Sequence, residues 1–336
     1  MVWYAVEALD DAVDPVRSLL FPLDVGRWLK LAVIVLFLGG GGVTPPTAGG
    51  QSTVGGGEMV PDGGAVELPS ETVIAAVVGL LVVILAVVLL FTVLGSVMEF
   101  AFLESLRTRE VHVRRYAGDN LGKGLRLFGF RIALYLVGLV PVVGLGLLLF
   151  PGLATGSPTI VLGTVALFVP VIALFGFVVA LVDGATTNFV VPVMLLRDEG
   201  PVAAWRTFWP TLVADWKQFA VYAVIRVVLA IAAGIVLSIV GGFLAVAVLV
   251  PFAVVGAAAV LAFGTPSALV STAVGLGILV VLVLAYVAVL FFVLSVVRVP
   301  IQAYLRYYAL LVLGDVDADL DLIPEIREET RSHEPV

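Results

Sequence analysis

The chain has 336 residues, of which 61% are apolar and 13% are charged, and its mean hydropathy is +1.18. Soluble globular proteins are about half apolar and about a quarter charged, so this composition excludes a water-soluble fold. The sequence contains no cysteine, which excludes disulfides, thiolate metal sites and cysteine nucleophiles. The formal net charge of −7 disfavours a nucleic-acid partner. The composition predicts an integral membrane protein whose partners are the lipid bilayer and, as a further class, other membrane proteins.

The charged residues are biased toward acids and toward arginine. The chain has 25 acidic and 18 basic residues, and only three of the bases are lysine. At the near-molar salt of a halophile's cytosol the Debye length is about 3 Å, so an acidic protein experiences little self-repulsion. The bias favours a halophilic source, and an ordinary acidic membrane protein is the alternative.

Long windows without charge predict the spanning helices, because a bilayer core of about 30 Å needs about 20 apolar residues of helix. A short first span is predicted at about 24–39, before a glycine-rich connection at 39–70 that has no apolar face to bury and should be flexible. The remaining spans are predicted in three windows, of which 72–98 and 132–182 contain no charged residue and 218–297 contains one, Arg226. Glycine and proline residues near 151–158 and 264–267 divide the last two windows into hairpins.

The run 218–262 makes the number of spans ambiguous, because it is long enough for two helices. Gly241-Gly242 and Pro251 offer places to interrupt it. One span followed by an apolar half-helix or re-entrant piece gives six spans, and two full spans give seven. Connections that contain lysine or arginine alternate along the chain with connections that contain neither, which predicts cytoplasmic termini and an even number of spans. We therefore predict an all-α, polytopic transmembrane helical bundle of six spans, with seven as the alternative.

A threefold internal repeat favours six spans. An acid or amide followed within three residues by a base recurs at intervals of 96 and 95 residues, at Asp24–Arg27, Asn120–Lys123 and Asp215–Lys217. These acids and amides are predicted to cap the first turn of an outgoing helix. The pattern predicts three transmembrane hairpin repeats, at about 1–107, 108–197 and 198–306.

Each return helix runs into a Leu-Arg pair, whose arginines are Arg107, Arg197 and Arg306. The bases of the three caps, Arg27, Lys123 and Lys217, are predicted to mark the cytoplasmic headgroup level. Residues 1–313 are thus predicted to form a single transmembrane domain of the cell membrane, with the 39–70 connection outside the cytoplasm. Residues 314–336 are predicted to be an acidic, solvated cytoplasmic tail.

Amphipathic segments beside the hairpins predict helices that lie at the cytoplasmic membrane interface. An amino-terminal apolar stripe contains Trp3, Val6, Leu9, Val13, Val16 and Leu20. A second stripe contains Trp205, Phe208, Trp209, Leu212 and Trp216. The last span is followed by Pro300, Tyr304, Tyr307 and Tyr308. Aromatic side chains of this kind concentrate at the headgroup level. The segments are predicted either to close the bundle or to dock a partner or sense lipid.

Both ends of the chain resemble a family of multi-pass membrane proteins from halophilic archaea that has no assigned activity. The resemblance rests on WYAVEALDDAV, FPLDVGRWLKLAV and GGGG at the amino end and on VRVPIQAYLRYYALLVLGD and VDADLDLIPE at the carboxyl end. The interfacial segments and the Pro300-x(3)-Tyr304 element more distantly resemble the six-span membrane domain found beside some bacterial glycerophosphodiester phosphodiesterases. The chain lacks the soluble phosphodiesterase domain, so the resemblance implies a membrane class and no enzyme activity.

Polar residues within the spans are the candidate functional residues, because burying an ionised group at mid-bilayer costs about 2.5–3.5 kcal/mol on insertion scales. The repeat predicts a candidate intramembrane cluster in the cytoplasmic half, formed by Glu99, Arg131, Asp183, Asn188, Arg226 and Arg298. In one interpretation the two acids pair with the three arginines and tie the repeats together. In the other, a cytoplasm-facing vestibule of net charge +1 admits an anion or a lipid headgroup.

Catalytic motifs are lacking in the sequence. The only histidines are His112 and His333, and neither an HExxH motif nor a GxSxG motif occurs. We therefore expect no enzyme activity, no cofactor and no metal site. The predicted role is that of a non-enzymatic, membrane-organising or partner subunit, with a small-solute or anion transporter as the alternative.

Overall fold

The computed structural model describes residues 3–38 and 71–332, and the regular elements in these ranges are helices. The predicted all-α class is confirmed for this part of the chain, and the predicted glycine-rich connection at 39–70 lies outside it. The elements are α1 (Tyr4–Asp11), α2 (Val13–Leu20), α3 (Val25–Leu38), α4 (Glu71–Thr108), α5 (Val113–Asp119), α6 (Leu121–Ala154), α7 (Pro158–Ala185), a π-helix (Thr186–Val190), α8 (Val191–Arg197), α9 (Pro201–Ala214), α10 (Trp216–Phe263), α11 (Pro266–Ser271), α12 (Ala273–Val316), a 3-10 turn (Ala318–Leu320) and α13 (Pro324–Ser332).

Long apolar helical stretches dominate the chain. Within the described residues, five are long and apolar enough to cross a membrane, namely Val82–Thr108, Leu121–Gly152, Pro158–Arg197, Trp216–Phe263 and Ala273–Val316. Helix α3 has 14 residues, fewer than the about 20 that a bilayer core requires. Five stretches therefore meet this criterion in the described part of the chain, where the sequence predicted six or seven spans.

The run of ambiguous span count is one continuous helix. Helix α10 has 48 residues, and at about 1.5 Å per residue it is about 70 Å long, more than twice the thickness of a bilayer core. The predicted interruption at Gly241-Gly242 or Pro251 is therefore wrong. Gly241 instead lies at a close helix contact, where an added Cβ would be 3.1 Å from the Leu294 side chain. Pro251 stays inside the helix, as apolar helices of membrane proteins tolerate.

The other two predicted breaks occur at glycine and proline. Gly156 has φ of +63° between α6 and α7, and Gly264 has φ of +82° after α10. Glycine adopts this left-handed backbone conformation without the steric cost of a Cβ. Pro158 begins α7, and Thr265 Oγ1 caps α11 by accepting a hydrogen bond from the Ala268 N–H at 3.1 Å. Local turn chemistry therefore ends both long helices where the sequence predicts.

The helix starts predicted from the repeat differ in detail. Asp24 Oδ1 accepts a hydrogen bond from the Gly26 N–H at 2.8 Å, which is a cap of the first turn of α3. Asn120 instead uses its amide nitrogen, which donates to the Tyr116 carbonyl at 3.1 Å and completes the last turn of α5. The short interval between α5 and α6 explains the difference, because Asn120 ends one helix and precedes the next.

Contacts divide the chain into two compact units. The first unit comprises Met1–Leu23, Ser96–Ile225 and Ala303–Val336, and the second comprises Asp24–Gly95 and Arg226–Gln302. The core of the first unit includes the fully buried side chains of Phe100, Phe102, Leu103, Leu106, Met194, Phe208, Tyr307 and Tyr308. These residues come from the carboxyl ends of α4, α8 and α12 and from α9, so the first unit is packed where these long helices end.

The second unit is held by sparser contacts between apolar helices. The rings of Phe37 and Phe91 lie 5.4 Å apart, and an added Cβ at Gly95 would be 2.7 Å from the Phe37 carbonyl oxygen. Tyr286 Oη donates to the Ala245 carbonyl at 3.4 Å. Close approach of helix backbones thus brings together elements distant in sequence.

The long helices expose most of their apolar surface. The most apolar window is at most 28% buried in any of the five stretches, and in three of them it is 0% buried. Exposed valine, leucine, isoleucine and phenylalanine side chains continue along α6, α7, α10 and α12. Contiguous apolar surface of this extent indicates contact with lipid or with another protein.

Helix α1 packs through alanine rather than through its large apolar side chains. Its buried face and the following residue consist of Ala5, Ala8, Asp11 and Ala12. The exposed members of the predicted stripe are Trp3, Val6 and Val13. The structure thus turns much of this stripe away from the protein, as a helix at a membrane interface requires.

Tyrosines of α12 explain the alanine face. Tyr308 Oη donates to the Ala5 carbonyl at 2.8 Å, and Tyr304 Oη donates to the Leu9 carbonyl at 2.9 Å. The two tyrosines and the two carbonyls are each four residues apart, so one turn of α12 matches one turn of α1. Small alanine side chains let the phenol rings reach the α1 backbone.

The predicted interfacial segment after the last span is wrong for its final tyrosines. Helix α12 continues to Val316, and Tyr307 and Tyr308 are 0% exposed. Tyr307 Oη donates to the Leu106 carbonyl at 2.7 Å. These hydroxyls satisfy buried helix carbonyls instead of meeting lipid headgroups.

The acidic carboxyl-terminal segment is packed within the first unit. Leu320, Leu322, Ile323 and Ile326 are buried, and the carboxylates of Asp315 and Asp321 are 1% and 2% exposed. The predicted solvated tail is therefore wrong for the described residues up to 332. The segment alternates acids with leucine and isoleucine. Its acids alone suggest a solvated segment, but its apolar side chains cover the end of α12.

Two arginines of α13 pair with the buried acids, and we call Asp11, Asp315, Asp321, Arg327 and Arg331 the carboxyl-terminal network. The ion pairs are Arg327–Asp321 at 2.9 Å, Arg327–Asp315 at 3.3 Å, Arg331–Asp315 at 2.7 Å and Arg331–Asp11 at 3.4 Å. Burial raises the pKa of Asp321, although the Ile323 N–H and Arg327 act in the opposite direction. Burial lowers the pKa of Arg331, but Asp315 and Asp11 outweigh it and raise that pKa overall.

Candidate functional site

The most deeply buried ion pairs of the first unit meet at Glu99. Glu99 on α4 and Arg131 on α6 are each 3% exposed, and Arg306 on α12 is 6% exposed. The side chain of Asp183, near the end of α7, is 26% exposed. We call Glu99, Arg131, Asp183 and Arg306 the Glu99 cluster. Because each member comes from a different long helix, the cluster ties four helices together.

Arg131 is saturated by acceptors within the protein. Its Nη2 lies 3.4 Å from Glu99 Oε1 and donates to Thr187 Oγ1 at 2.7 Å. Its Nε donates to Asp183 Oδ1 at 3.2 Å, and its Nη1 donates to Ser96 Oγ at 3.5 Å. All three guanidinium nitrogens thus have an acceptor, which offsets the cost of taking the charge out of water.

Arg306 engages the other oxygen of the same carboxylate. Its Nη2 pairs with Glu99 Oε2, and its Nη1 donates to the Thr187 carbonyl. Glu99 therefore receives one arginine on each oxygen. Tyr135 Oη also donates to Asp183 Oδ2, at 3.5 Å, so that the second carboxylate has a neutral donor beside Arg131.

A π-helix at Thr186–Val190 supplies the polar groups of Thr187. A π-helix bonds each N–H to the fifth preceding carbonyl, so the α-helical ladder is locally changed, and such turns are frequent at functional sites. Here the Thr187 hydroxyl accepts from Arg131 and its carbonyl accepts from Arg306. The π-helix therefore lies at the point where Arg131 and Arg306 bind Thr187.

Aromatic side chains hold the π-helix in place. Phe189 stacks on Phe208 with ring centroids 5.4 Å apart, and it meets Phe219 and Tyr222 edge-on at 5.0 and 4.9 Å. Trp205 Nε1 donates to Thr186 Oγ1 at 3.0 Å. Helices α9 and α10 therefore position the same turn that carries Thr187.

The charges of the Glu99 cluster balance. Two arginines face two carboxylates, so the four formal charges sum to zero when all are ionised. An anion could bind Arg131 only by displacing a carboxylate or a hydroxyl that already accepts its hydrogen bonds. Within residues 3–38 and 71–332, no group of three or more His, Cys, Asp or Glu side chains could hold a metal ion. The arrangement is chemically suited to fixing helices.

The structure brings together three of the six predicted residues. Glu99 and Asp183 each pair with Arg131. Asn188 is 7% exposed, and its Nδ2 donates to the Gly184 carbonyl at 2.7 Å within its own helix. Arg226 and Arg298 belong to the second unit and are half-buried there.

Arg306 is the member that sequence reasoning missed. The repeat makes it equivalent to Arg107 and Arg197 and leaves it outside the predicted cluster, but Arg306 is buried. A signal exists in the sequence, since Arg306 is the only charged residue between Arg298 and Asp315. Arg107 and Arg197 lie next to further charged residues and are exposed. Isolation within an apolar run distinguishes the buried arginine from the exposed ones.

Comparison with known proteins gives one match. A family model described as "Family of unknown function (DUF7544)" matches residues 3–323, nearly the whole chain. No curated protein and no solved structure matches the chain.

Proposed function

Because the chain belongs to DUF7544, a family of unknown function, we propose its role from its own structure. We propose a six-span protein of the cell membrane with a non-enzymatic role, as a subunit that organises the membrane or joins other membrane proteins. The observation that carries the proposal is the exposure of the five long apolar stretches, whose most apolar windows are at most 28% buried. Water would destabilise such a surface by about 25 cal/mol per Å², whereas lipid or partner helices would cover it.

The contacts of the two ends of the chain support an even number of spans. Helix α1 accepts hydrogen bonds from Tyr304 and Tyr308 of α12, and Asp11 pairs with Arg331 of α13. Ends that touch lie on one side of a membrane, so this contact favours an even number of crossings over five. A sixth crossing at α3 would give an even number. Basic connections near these ends favour the cytoplasmic side.

The order of helices supports three hairpin repeats. Each proposed pair of spans follows one or two short helices: α1 and α2 precede α3 and α4, α5 precedes α6 and α7, and α9 precedes α10 and α12. The acidic composition and the resemblance at the two chain ends support a halophilic source.

The Glu99 cluster supports a structural role over anion transport. A vestibule that admits an anion requires excess positive charge and unsatisfied donors, whereas this cluster is balanced and Arg131 is saturated. Ion pairs of this kind position helices. We therefore propose that the cluster fixes the bundle on which partner subunits assemble.

Single-cysteine labelling tests the topology, since the chain has no native cysteine. We expect Ser18→Cys, Arg115→Cys and Glu328→Cys to react with a membrane-impermeant maleimide from one side of the membrane, and Thr155→Cys and Ser267→Cys from the other. All five positions are exposed. Labelling of Ser18→Cys and Glu328→Cys from opposite sides would contradict six spans.

Reconstitution tests the transporter alternative. Proteoliposomes with the intact chain should take up chloride or phosphate no faster than empty vesicles. Uptake that is abolished by Arg131→Gln, in a variant that keeps the parent's elution volume in detergent, would contradict the non-transport role.

A further inference from the structure

The outer face of α9 carries an apolar surface distinct from the long stretches. Its inner face is fixed, because Phe208 is 0% exposed and Thr211 Oγ1 donates to Asp317 at 2.7 Å. The α9 face, as we name it, continues into the first residue of α10 and consists of Val202, Arg206, Trp209, Val213 and Trp216. Steps of four and three residues put these side chains on one stripe.

The composition of the α9 face matches a headgroup layer. Trp209, Val213 and Trp216 are 55%, 55% and 60% exposed, which is unusual for large apolar side chains that meet water. Tryptophan rings concentrate where an apolar region borders a polar one. Arg206 lies in the middle of the stripe and Lys217 follows it, both exposed. Asp215 is the one acid between positions 201 and 217, so the segment is net positive.

The direct connection of α9 to α10 indicates how deep the α9 face lies in the membrane. Helix α9 ends at Ala214 and α10 begins at Trp216, so the α9 face adjoins the start of a stretch long and apolar enough to cross a membrane. If α10 spans the bilayer, as proposed above, the α9 face lies where the helix enters the lipid.

We propose that the α9 face is a docking surface for anionic phospholipid headgroups. Arg206 binds the lipid phosphate, while Trp209 and Val213 lie at the boundary between headgroups and acyl chains. The inference rests on the proposed membrane embedding. A phosphate fits Arg206 because a guanidinium offers parallel N–H donors to two phosphate oxygens.

Helix α1 provides a matched comparison within the same chain. Its exposed apolar side chains include Trp3 and Val6, but the neighbouring exposed charges Glu7 and Asp10 are acidic. Both helices are therefore expected to contact the interface through apolar side chains, while only the α9 face selects a negative headgroup.

Spin-label depth measurements test the location of the α9 face. The full chain, carrying a label at Val213→Cys, Val246→Cys or Glu328→Cys, is reconstituted in vesicles of phosphatidylcholine and phosphatidylglycerol. We expect the Val246 label to collide with oxygen, the Glu328 label with a water-soluble nickel chelate, and the Val213 label with both. A Val213 label as chelate-accessible as Glu328, with Val246 protected, overturns the docking surface and leaves the spans intact. Chelate access at Val246 as well would overturn the membrane proposal itself.

Lipid selection tests the role of Arg206. A bimane probe at Val213→Cys should be quenched by brominated phosphatidylglycerol with about fivefold preference over brominated phosphatidylcholine, the expected contribution of one basic residue near an anionic surface. Arg206→Gln should abolish the preference, and the control Arg17→Gln should retain it. The same probe at Val6→Cys should show no preference. Equal quenching by both lipids at Val213, or a preference that survives Arg206→Gln, overturns the proposal.

Discussion

The Glu99 cluster and the carboxyl-terminal network both pair buried carboxylates with arginines, but the two sets differ in their exposure to solvent. Each pairs two arginines with a carboxylate that is almost wholly buried, Glu99 in the cluster and Asp315 in the network. The arginines of the Glu99 cluster are 4% and 6% exposed, whereas Arg327 and Arg331 are 20% and 41% exposed. Water and salt reach the cations of the network and are excluded from those of the cluster.

This difference changes what each set of ion pairs contributes. An ion pair with a solvated partner contributes about 0–1 kcal/mol, because the solvent competes for the charges. Removing one partner of a buried pair costs about 3–5 kcal/mol, because the remaining charge has no solvent to stabilise it. We therefore expect the Glu99 cluster to govern the stability of the bundle and the network to govern the order of its last helix.

The largest expected effect is that of Glu99→Gln. The substitution removes the carboxylate that pairs with Arg306 and leaves Arg131 paired with Asp183, so it should cost about 3–5 kcal/mol and markedly lower the thermal unfolding midpoint in detergent. Glu104→Gln is the matched control on the same helix, since Glu104 pairs with the half-exposed Arg107 at 3.9 Å. Equal and small shifts for both variants would contradict a structural role for the cluster.

Double-mutant cycles should give intermediate effects and separate the two regions directly. We expect a coupling of about 1–3 kcal/mol between Glu99→Gln and Arg306→Gln, and of about 0–1 kcal/mol between Asp315→Asn and Arg331→Gln. Raising the salt from about 0.1 M to about 1 M shortens the Debye length from about 10 Å to about 3 Å. The second coupling should then vanish and the first persist. Equal salt sensitivity of the two couplings would remove the distinction.

The smallest effect is the pH dependence that comes from Asp321. Burial raises the pKa of Asp321, so the folded chain binds a proton there more tightly than the unfolded chain does. Its contribution to stability is therefore greatest below the ordinary aspartate pKa of about 3.9 and falls as the pH rises through the raised folded value. As the pH falls from neutral toward about 4, the thermal unfolding midpoint of the parent chain should rise relative to that of Asp321→Asn. A loss on acidification relative to Asp321→Asn, with exposed Glu328→Gln unchanged, would contradict this sign.

Much of the fold follows from local sequence. Gly156 and Gly264 adopt the left-handed backbone that glycine favours, and Pro158 begins a helix, as their neighbourhoods predict. The same reasoning fails at Gly241, because a glycine within an apolar helix serves close packing as well as a break. Local sequence does not distinguish these two uses, since the partner Leu294 is distant in the chain.

The sequence predicted both acids of the Glu99 cluster but only one of its two arginines, Arg131. Glu99, Arg131 and Asp183 stand out because ionised residues in apolar helices need partners. The choice of Arg306, as well as Arg131, as a partner of Glu99 depends on the rotation of α12 about its axis, which spacing along a repeat does not specify. The π-helix that directs the Thr187 carbonyl to Arg306 likewise has no sequence signature.

Composition and charge spacing by themselves determined the long apolar helices typical of a membrane protein, two of their turns and the need for ion pairs among charged residues in apolar helices. These properties depend on local conformation and on transfer from water, both of which residue type specifies. Tertiary structure alone decided that Arg306 pairs with Glu99, that alanines bury α1 and that the acidic segment folds onto Arg327 and Arg331. Each of these contacts joins residues far apart in the chain, so it depends on how helices rotate and pack.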